Sequence, residues 1–392
     1  MTSSPSQVRG KSAKSLQSVP LLDLQRQYQQ IREPVLAAIE RVCASQQLIL
    51  GAEVEALEQE LAAYVGAAHA IGCASGTDAL WLALLAAGVG PGHEVVTTPF
   101  SFFASSSAVV RAGARPVWVD VDPRTLNLDP AAAEKRMGKG SKARAILPVH
   151  LYGQCADMDA LRRVAQESGA VVIEDAAQAI GAAWGQQRAG SMGVAAAFSF
   201  YPTKNLSAFG DAGLVTTSDE ALAARMRHLR NHGSSRRYVH EELGWNARMD
   251  AIQAAVLRVK LTYLEEWNRQ RRERAARYDL LLANAGLTAG SHAPLRLLET
   301  LPPAHHVFHQ YVVRAVRRDQ LRTFLADRRI GSEVYYPVPL HLQPCFAYLG
   351  YREGDLPEAE RAAREMLALP MFPELTEAEQ QWVVENLAEF YS

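Results

Sequence analysis

Residues 195–217 read AAAFSFYPTKNLSAFGDAGLVTT. Two apolar runs, 195–201 and 213–217, bracket a loop of proline, glycine and small polar residues that carries a single lysine, Lys204. Short apolar runs bounded by turn residues predict buried strands. The same type of run recurs upstream, as AHAIGC (68–73), EVVTT (94–98), PVWVDV (116–121), RAILPVHL (144–151) and AVVIED (170–175). Helical patterns lie between them, at Thr77–Ala87, Phe103–Ala112, Met158–Glu167 and Glu220–Arg230. Strand and helix in alternation predict an α/β domain with a largely parallel sheet across about residues 50–260.

Beyond it the pattern changes. Residues 249–285 read as one or two long helices with a basic face at 269–277. HQYVVRAV (309–316) and SEVYYPV (332–338) read as strands flanking a helix Gln320–Arg329. Further helices are expected near Glu358–Leu367 and from Thr376, where Thr376 and Glu379 have capping-box spacing. The expected organisation is a mobile tail at 1–19, a large domain at 20–260 that includes N-terminal helices, and a smaller C-terminal α+β domain at 261–392, led by the long helix.

A chain of 392 residues buries a full core without disulfide or metal staples. Its 41 basic and 42 acidic residues leave a net charge of −1, which excludes a globally basic nucleic-acid binder. Four cysteines at 43, 73, 155 and 345 form no CxxC pair, so neither a zinc site nor a disulfide framework is expected, and free thiols suit a reducing cytoplasm. No run has the length and apolarity of a membrane span, and the N-terminus lacks the apolar stretch of a signal peptide.

Lysine supplies only 7 of the 41 basic residues. Only Lys204 directly follows an apolar strand, and ligands of such sheets bind at the strands' carboxyl ends. Partial burial there lowers an amine's pKa and frees it to attack a carbonyl, which makes Lys204 either a Schiff-base residue or an exposed loop lysine. Asp175 ends the strand AVVIED and either pairs with a protonated ring nitrogen or caps the next helix. Glu174 points to the opposite face, and Gln178 follows within reach of ring substituents. Ser75, Gly76 and Thr77 stand at a helix N-terminus, where free N–H groups suit a phosphate, though ordinary capping explains them equally. Phe102 either stacks on a planar ring or packs in the core, and Ser199 offers a further hydroxyl. Lysine, acid, phosphate cradle and stacking ring together are what pyridoxal phosphate requires.

The segments ASGTDALWLAL, TTPFSFFAS, VHLYGQCADM, VIEDAAQAIGA, FSFYPTKNLSAFGDAG, LRNHGS, LGWNARMDAIQAAVL and YYPVPLHLQP carry a resemblance that covers about residues 20–390. The chain resembles the DegT/StrS family of PLP-dependent nucleotide-sugar aminotransferases, of the aspartate aminotransferase fold (fold type I). The resemblance implies that Lys204 holds pyridoxal 5'-phosphate as a Schiff base, that Asp175 pairs with the pyridine nitrogen and that Gln178 lies near the ring's phenolic oxygen. It further implies that Gly76, Thr77 and Ser199 hold the phosphate, that Phe102 stacks on the ring and that Asn246 reaches the cofactor of a neighbouring subunit in a homodimer with shared active sites. His341 and Arg248 match positions near the substrate. Ser207 and Phe209 depart from the family pattern, in which glycine is frequent at the first.

The implied activity is transfer of an amino group from glutamate, which leaves as 2-oxoglutarate, to a keto nucleotide-sugar, with pyridoxamine 5'-phosphate as the intermediate cofactor form. The FYPTKNL and PLHLQP segments lean toward amination at carbon 3. Arg236, Arg237 and Arg248 are candidate cations for the diphosphate. The rival readings are a cyclitol-ketone aminotransferase and a PLP-binding regulator without turnover. A sugar dehydratase of this kind has histidine in place of the lysine, and Lys204 argues against it.

Overall fold

The computed structural model describes residues 18–138 and 141–392. Seven strands form the main sheet: β1 (His69–Cys73), β2 (Glu94–Thr97), β3 (Arg115–Trp118), β4 (Ala143–Leu147), β5 (Val171–Asp175), β6 (Ala195–Ser199) and β7 (Gly213–Thr217). Their spatial order is β1-β7-β6-β5-β4-β2-β3. All run parallel except β7, which is antiparallel to both neighbours. Each of the seven runs read as strands from the sequence is a strand here.

Alternate residues of each strand feed two separate cores. Val96, Ile146, Val172, Ala196, Phe198 and Leu214 pack on one face, and Val95, Ala145, Leu147, Ile173, Ala197 and Val215 on the other. Burial on both faces is why these strands read as continuous apolar runs and not as alternating ones. The helix Gly76–Ala86 is itself buried over most of its length, with Ala79 to Leu84 all inaccessible or nearly so. Aspartates cap the connecting helices at Asp157, Asp219 and Asp250, each accepting from a first-turn backbone N–H.

The C-terminal part is built on three antiparallel strands, Leu295–Leu297, Tyr311–Ala315 and Met366–Leu369, in that spatial order. Helices Leu264–Asn284, Arg318–Asp327 and Glu377–Tyr391 bury one face of it, around Val313, Leu367 and Leu369. The capping box of Thr376 and Glu379 is formed. Helix Pro357–Glu365 and residues of the main domain, including Phe100, Trp118 and Tyr152, bury the other face, around Val312 and Ala368. Among the described residues no helix is long and apolar enough to cross a membrane.

Three expectations need correction. Residues 332–338 are not a strand: only Glu333 makes a bridge, to Ala368, and Pro337 and Pro339 cannot donate to a ladder. The third strand is instead Met366–Leu369, so the helix expected to reach Leu367 stops at Glu365. That strand is buried on both faces, an apolar run too short for its period to reveal it. The expected tail at 1–19 lies largely outside the described residues, but Val19 does not belong to it. Val19 is fully buried, bridges Ile330, donates its N–H to Arg329 and accepts from Gly331.

Candidate active site

The carboxyl ends of β1, β2, β4, β5 and β6 open on one edge of the sheet, and β7 begins there because it runs the other way. A cavity of about 630 Å³ lies at that edge. Ser75, Gly76 and Thr77 after β1, Phe102 after β2, Asp175 and Gln178 from β5, Ser199 and Lys204 from β6, and Asp211 before β7 all line it. Eight of the candidate residues separated by up to 129 positions in the chain thus reach one space: Gly76, Thr77, Phe102, Asp175, Gln178, Ser199, Lys204 and Ser75.

Asp175 is 3% exposed. Its Oδ2 accepts from Ser105 Oγ at 2.6 Å, and Ser105 lies 2.7 Å from Ser101 Oγ. Its Oδ1 accepts from Ala177 N at 3.2 Å. Burial pushes its carboxyl above the usual range, against the pull of these donors and of Lys204. Such a carboxylate gains from a cationic partner in the cavity. Lys204 is half-buried, and its amine is lowered to about 8 by burial, with Asp175 opposing the shift. Among the described residues its Nζ makes no hydrogen bond, so the amine is free to react.

Helix Gly76–Ala86 starts at the cavity wall. Ser75 Oγ caps it by accepting from Asp78 N and donating to Asp78 Oδ2, both at 3.1 Å, while Asp78 Oδ1 pairs with Arg111 at 2.6 Å. The N–H groups of Gly76 and Thr77 are left without backbone acceptors, beside the Ser199 side chain. A Cβ on Gly76 would stand 2.6 Å from Ser199 Cβ, so only glycine allows this approach. Phe102 is 60% exposed and borders the cavity, which excludes the core-packing alternative. Gln178 lines the wall with its amide fixed: Oε1 accepts from Tyr152 N at 2.7 Å and Nε2 donates to Tyr336 OH at 3.0 Å. Glu174 points to the other face as expected, where it accepts from Gly190, Met192 and Gly193 N–H groups and pairs with His150 at 3.0 Å.

Five candidates are elsewhere. Asn246 is exposed, its backbone bridged to Asn231, and Arg248 donates to Asn231 Oδ1 at 3.0 Å. Neither lines the cavity. His341 is buried with Nε2 3.1 Å from Glu360 Oε1, a position that closes it off from the cavity and makes the glutamate its partner. Arg236 and Arg237 sit on an exposed hairpin, Ser234–Arg236 paired with Val239–His240, also outside the lining. Conversely, the sequence reading missed Ser105, His309, Tyr335 and Tyr336. Ser105 had a signal, its four-residue spacing from Ser101 at the start of a helix; the other three arrive from the C-terminal domain and had none.

The donor set suits pyridoxal phosphate: free N–H groups and hydroxyls for a phosphate, a buried carboxylate for a ring nitrogen, an unpaired amine and an exposed aromatic face. The sequence profile of the DegT/DnrJ/EryC1/StrS aminotransferase family matches residues 29–388. The chain belongs to that family. It is 46% identical over 372 residues to the dTDP-3-amino-3,4,6-trideoxy-alpha-D-glucose transaminase of Streptomyces venezuelae, covering 95% of this chain and 96% of that protein. It is 52% identical to the pleiotropic regulatory protein of Geobacillus stearothermophilus, covering 95% and 99% respectively. The crystal structure of S. venezuelae DesV in complex with a ketimine intermediate superimposes with a TM-score of 0.91 at 45% identity, covering 96% of this chain and 99% of that one. The aminotransferase is thus of fold type I and uses pyridoxal phosphate.

Proposed function

We propose that this aminotransferase moves an amino group from L-glutamate to the keto carbon of a nucleotide-linked sugar, releasing 2-oxoglutarate and a 3-amino sugar nucleotide. The observation that carries the reading is the convergence of Lys204 and Asp175 below the Gly76–Thr77 cradle in one cavity. The name of the S. venezuelae relative supports a 3-amino product. When bound, the cofactor supplies an electron sink for the pair released at the amino-bearing carbon.

The protein's own residues do the rest. The cradle and Ser199 fix the phosphate, and Phe102 and Gln178 hold the ring plane. Asp175, oriented by Ser105 and Ala177 N–H, keeps a proton on the ring nitrogen. The Lys204 amine, with its pKa brought down to about 8, takes a proton at the donor carbon and returns it to the acceptor carbon. The reading includes a cytoplasmic location, supported by four cysteines that are all free, and a homodimer in which Asn246 serves the partner's site, supported by its exposure.

The test is a panel of keto nucleotide-sugars and cyclitol ketones incubated with glutamate, with 2-oxoglutarate release measured and product regiochemistry read by NMR. Carbon-3 amination of a nucleotide-sugar is the expected result. Turnover of a cyclitol ketone alone would replace the substrate class. The name of the G. stearothermophilus relative favours a second reading, a regulator that binds the cofactor. Absence of turnover across the panel, with cofactor bound, is its signature.

A further inference from the structure

His309 belongs to the C-terminal part of the chain, yet its ring lines the same cavity as Lys204. Its protonation state follows from a chain of amides behind it. Asn268 Nδ2 donates to Ile180 O at 3.1 Å, which turns Asn268 Oδ1 toward Asn205. Asn205 Nδ2 donates to that oxygen at 2.8 Å and to Val307 O at 3.1 Å, which leaves Asn205 Oδ1 facing His309 Nδ1 at 3.1 Å. An amide oxygen only accepts, so Nδ1 carries the proton and Nε2 bears a lone pair. Among the described residues Nε2 has no partner. The backbone is fixed as well: buried Arg271 donates to the carbonyls of Phe308 at 3.1 Å and His309 at 3.2 Å. Asn205 is the residue after Lys204, so one amide ties the lysine loop to the histidine.

We propose that His309 is a positioning residue for Lys204, whose Nε2 accepts a hydrogen bond from the Lys204 ammonium whenever that side chain is not bound to the cofactor. This rests on the aminotransferase reading, in which Lys204 is released and rebound in each cycle. The bond holds the amine beside the reacting carbon and raises its affinity for the proton it has taken. His309 stays neutral throughout. Burial holds its ring well below the ordinary range, helped by the nearby charges of Lys204 and Arg271 and by His306. The titratable groups sharing the space with it are Lys204, Asp175, Asp211, Tyr201, Tyr335 and Tyr336.

The test measures the Lys204 pKa directly, in holoenzyme loaded with pyridoxamine phosphate. Competitive labelling with trace acetic anhydride across pH, followed by peptide mapping, reads the amine without turnover. His309→Asn keeps a donor for Asn205 but lacks the Nε2 position; His309→Gln returns an acceptor near it. A hydrogen bond to a charged group corresponds to roughly one to two pKa units. The Asn variant is expected to lower the Lys204 pKa by about that much, and the Gln variant to recover most of it. An unshifted Lys204 pKa in a folded Asn variant, with only the sugar KM changed, overturns the proposal. A Gln variant that behaves like the Asn variant overturns it too. Nitrogen-15 NMR of the wild-type histidines needs no variant: a proton on His309 Nε2 in place of Nδ1 rules the role out. Borohydride reduction of the pyridoxal form is the control. Failure to fix cofactor on Lys204 in wild type rejects the aminotransferase assignment itself, a different failure from an unmoved pKa.

Discussion

Asp175 is held by one serine hydroxyl and one backbone N–H, with Lys204 and then His150 as the nearby groups whose charge favours its carboxylate. Asp175→Asn preserves its shape, with Oδ1 still accepting from Ala177 N and the amide nitrogen now donating to Ser105 Oγ, but loses the charge that keeps a ring nitrogen protonated. The half-reaction with glutamate is expected to slow by a few orders of magnitude, roughly 3–5 kcal/mol in barrier, while cofactor is retained. Stopped-flow spectra of the purified variant decide this, and near-normal rates would reduce the carboxylate to the acceptor of the turn that follows it, since no helix starts there. Its neighbour Glu174 does a different job. Its four acceptor contacts bind the 190–193 turn to His150, and they hold its carboxyl below the usual 4.5 despite complete burial. A carboxylate with a depressed folded pKa contributes stability that is present above pH about 4.5 and lost as pH falls through the folded value. Glu174→Gln is therefore expected to cost about 3 kcal/mol at pH 7, with the gap to wild type narrowing in acid. Urea melts at pH 7 and pH 4 measure both. The sequence exposed these two residues because they are adjacent on one strand and so must face opposite ways. It did not expose His309 or Tyr336, whose contacts with the site join residues more than a hundred positions apart.

At the scale of elements, the meeting of β7 with the start of helix Gly76–Ala86 is the tightest packing in the site. A Cβ on Gly213 would lie 2.3 Å from the Ser75 carbonyl and 2.7 Å from Gly76 N. Gly213→Ala must therefore push the cradle away from Ser199, and the expected result is at least tenfold weaker cofactor binding with the fold retained, a loss of about 1.4 kcal/mol or more. Fluorescence titration of the apoprotein with pyridoxal phosphate checks it, and an unchanged affinity would mean that the cradle adapts. Strands and cradle were legible because β1 to β7 are short apolar runs separated by capped helices, a pattern local in sequence. The C-terminal sheet was harder. SEVYYPV has the composition of a strand but two prolines in or just after it, and MLAL has four buried residues that continue directly from a helix. Only its pairing with Tyr311–Ala315 makes it a strand, and that pairing spans more than fifty residues.

At the scale of the whole molecule, Asn246 is the candidate cofactor residue that stands outside its own chain's cavity. It is exposed, it lies outside the cavity, and its segment runs beside β1, with Ala247 O accepting from Ala74 N at 3.1 Å. The same region exposes Tyr238, Leu243 and Trp245, large apolar groups that a second copy would cover. In a two-fold dimer each chain would lend Asn246 to the other's phosphate, giving two equivalent composite sites. A hydrogen bond to a charged group is worth about 1.5–3 kcal/mol, enough to make Asn246→Ala inactive at limiting cofactor. Lys204→Ala is expected to be inactive at any cofactor concentration, because it lacks the reacting amine. Mixing the two variants and allowing subunits to exchange separates the alternatives. If Asn246 acts across the interface, one site of each mixed dimer carries both lesions and the other carries none, so activity returns toward a quarter of the wild-type level per total site as half the dimers become mixed. If Asn246 serves its own chain, every site keeps one lesion and the mixture stays inactive. A strictly monomeric protein in sedimentation equilibrium would reject the shared site before any mixing.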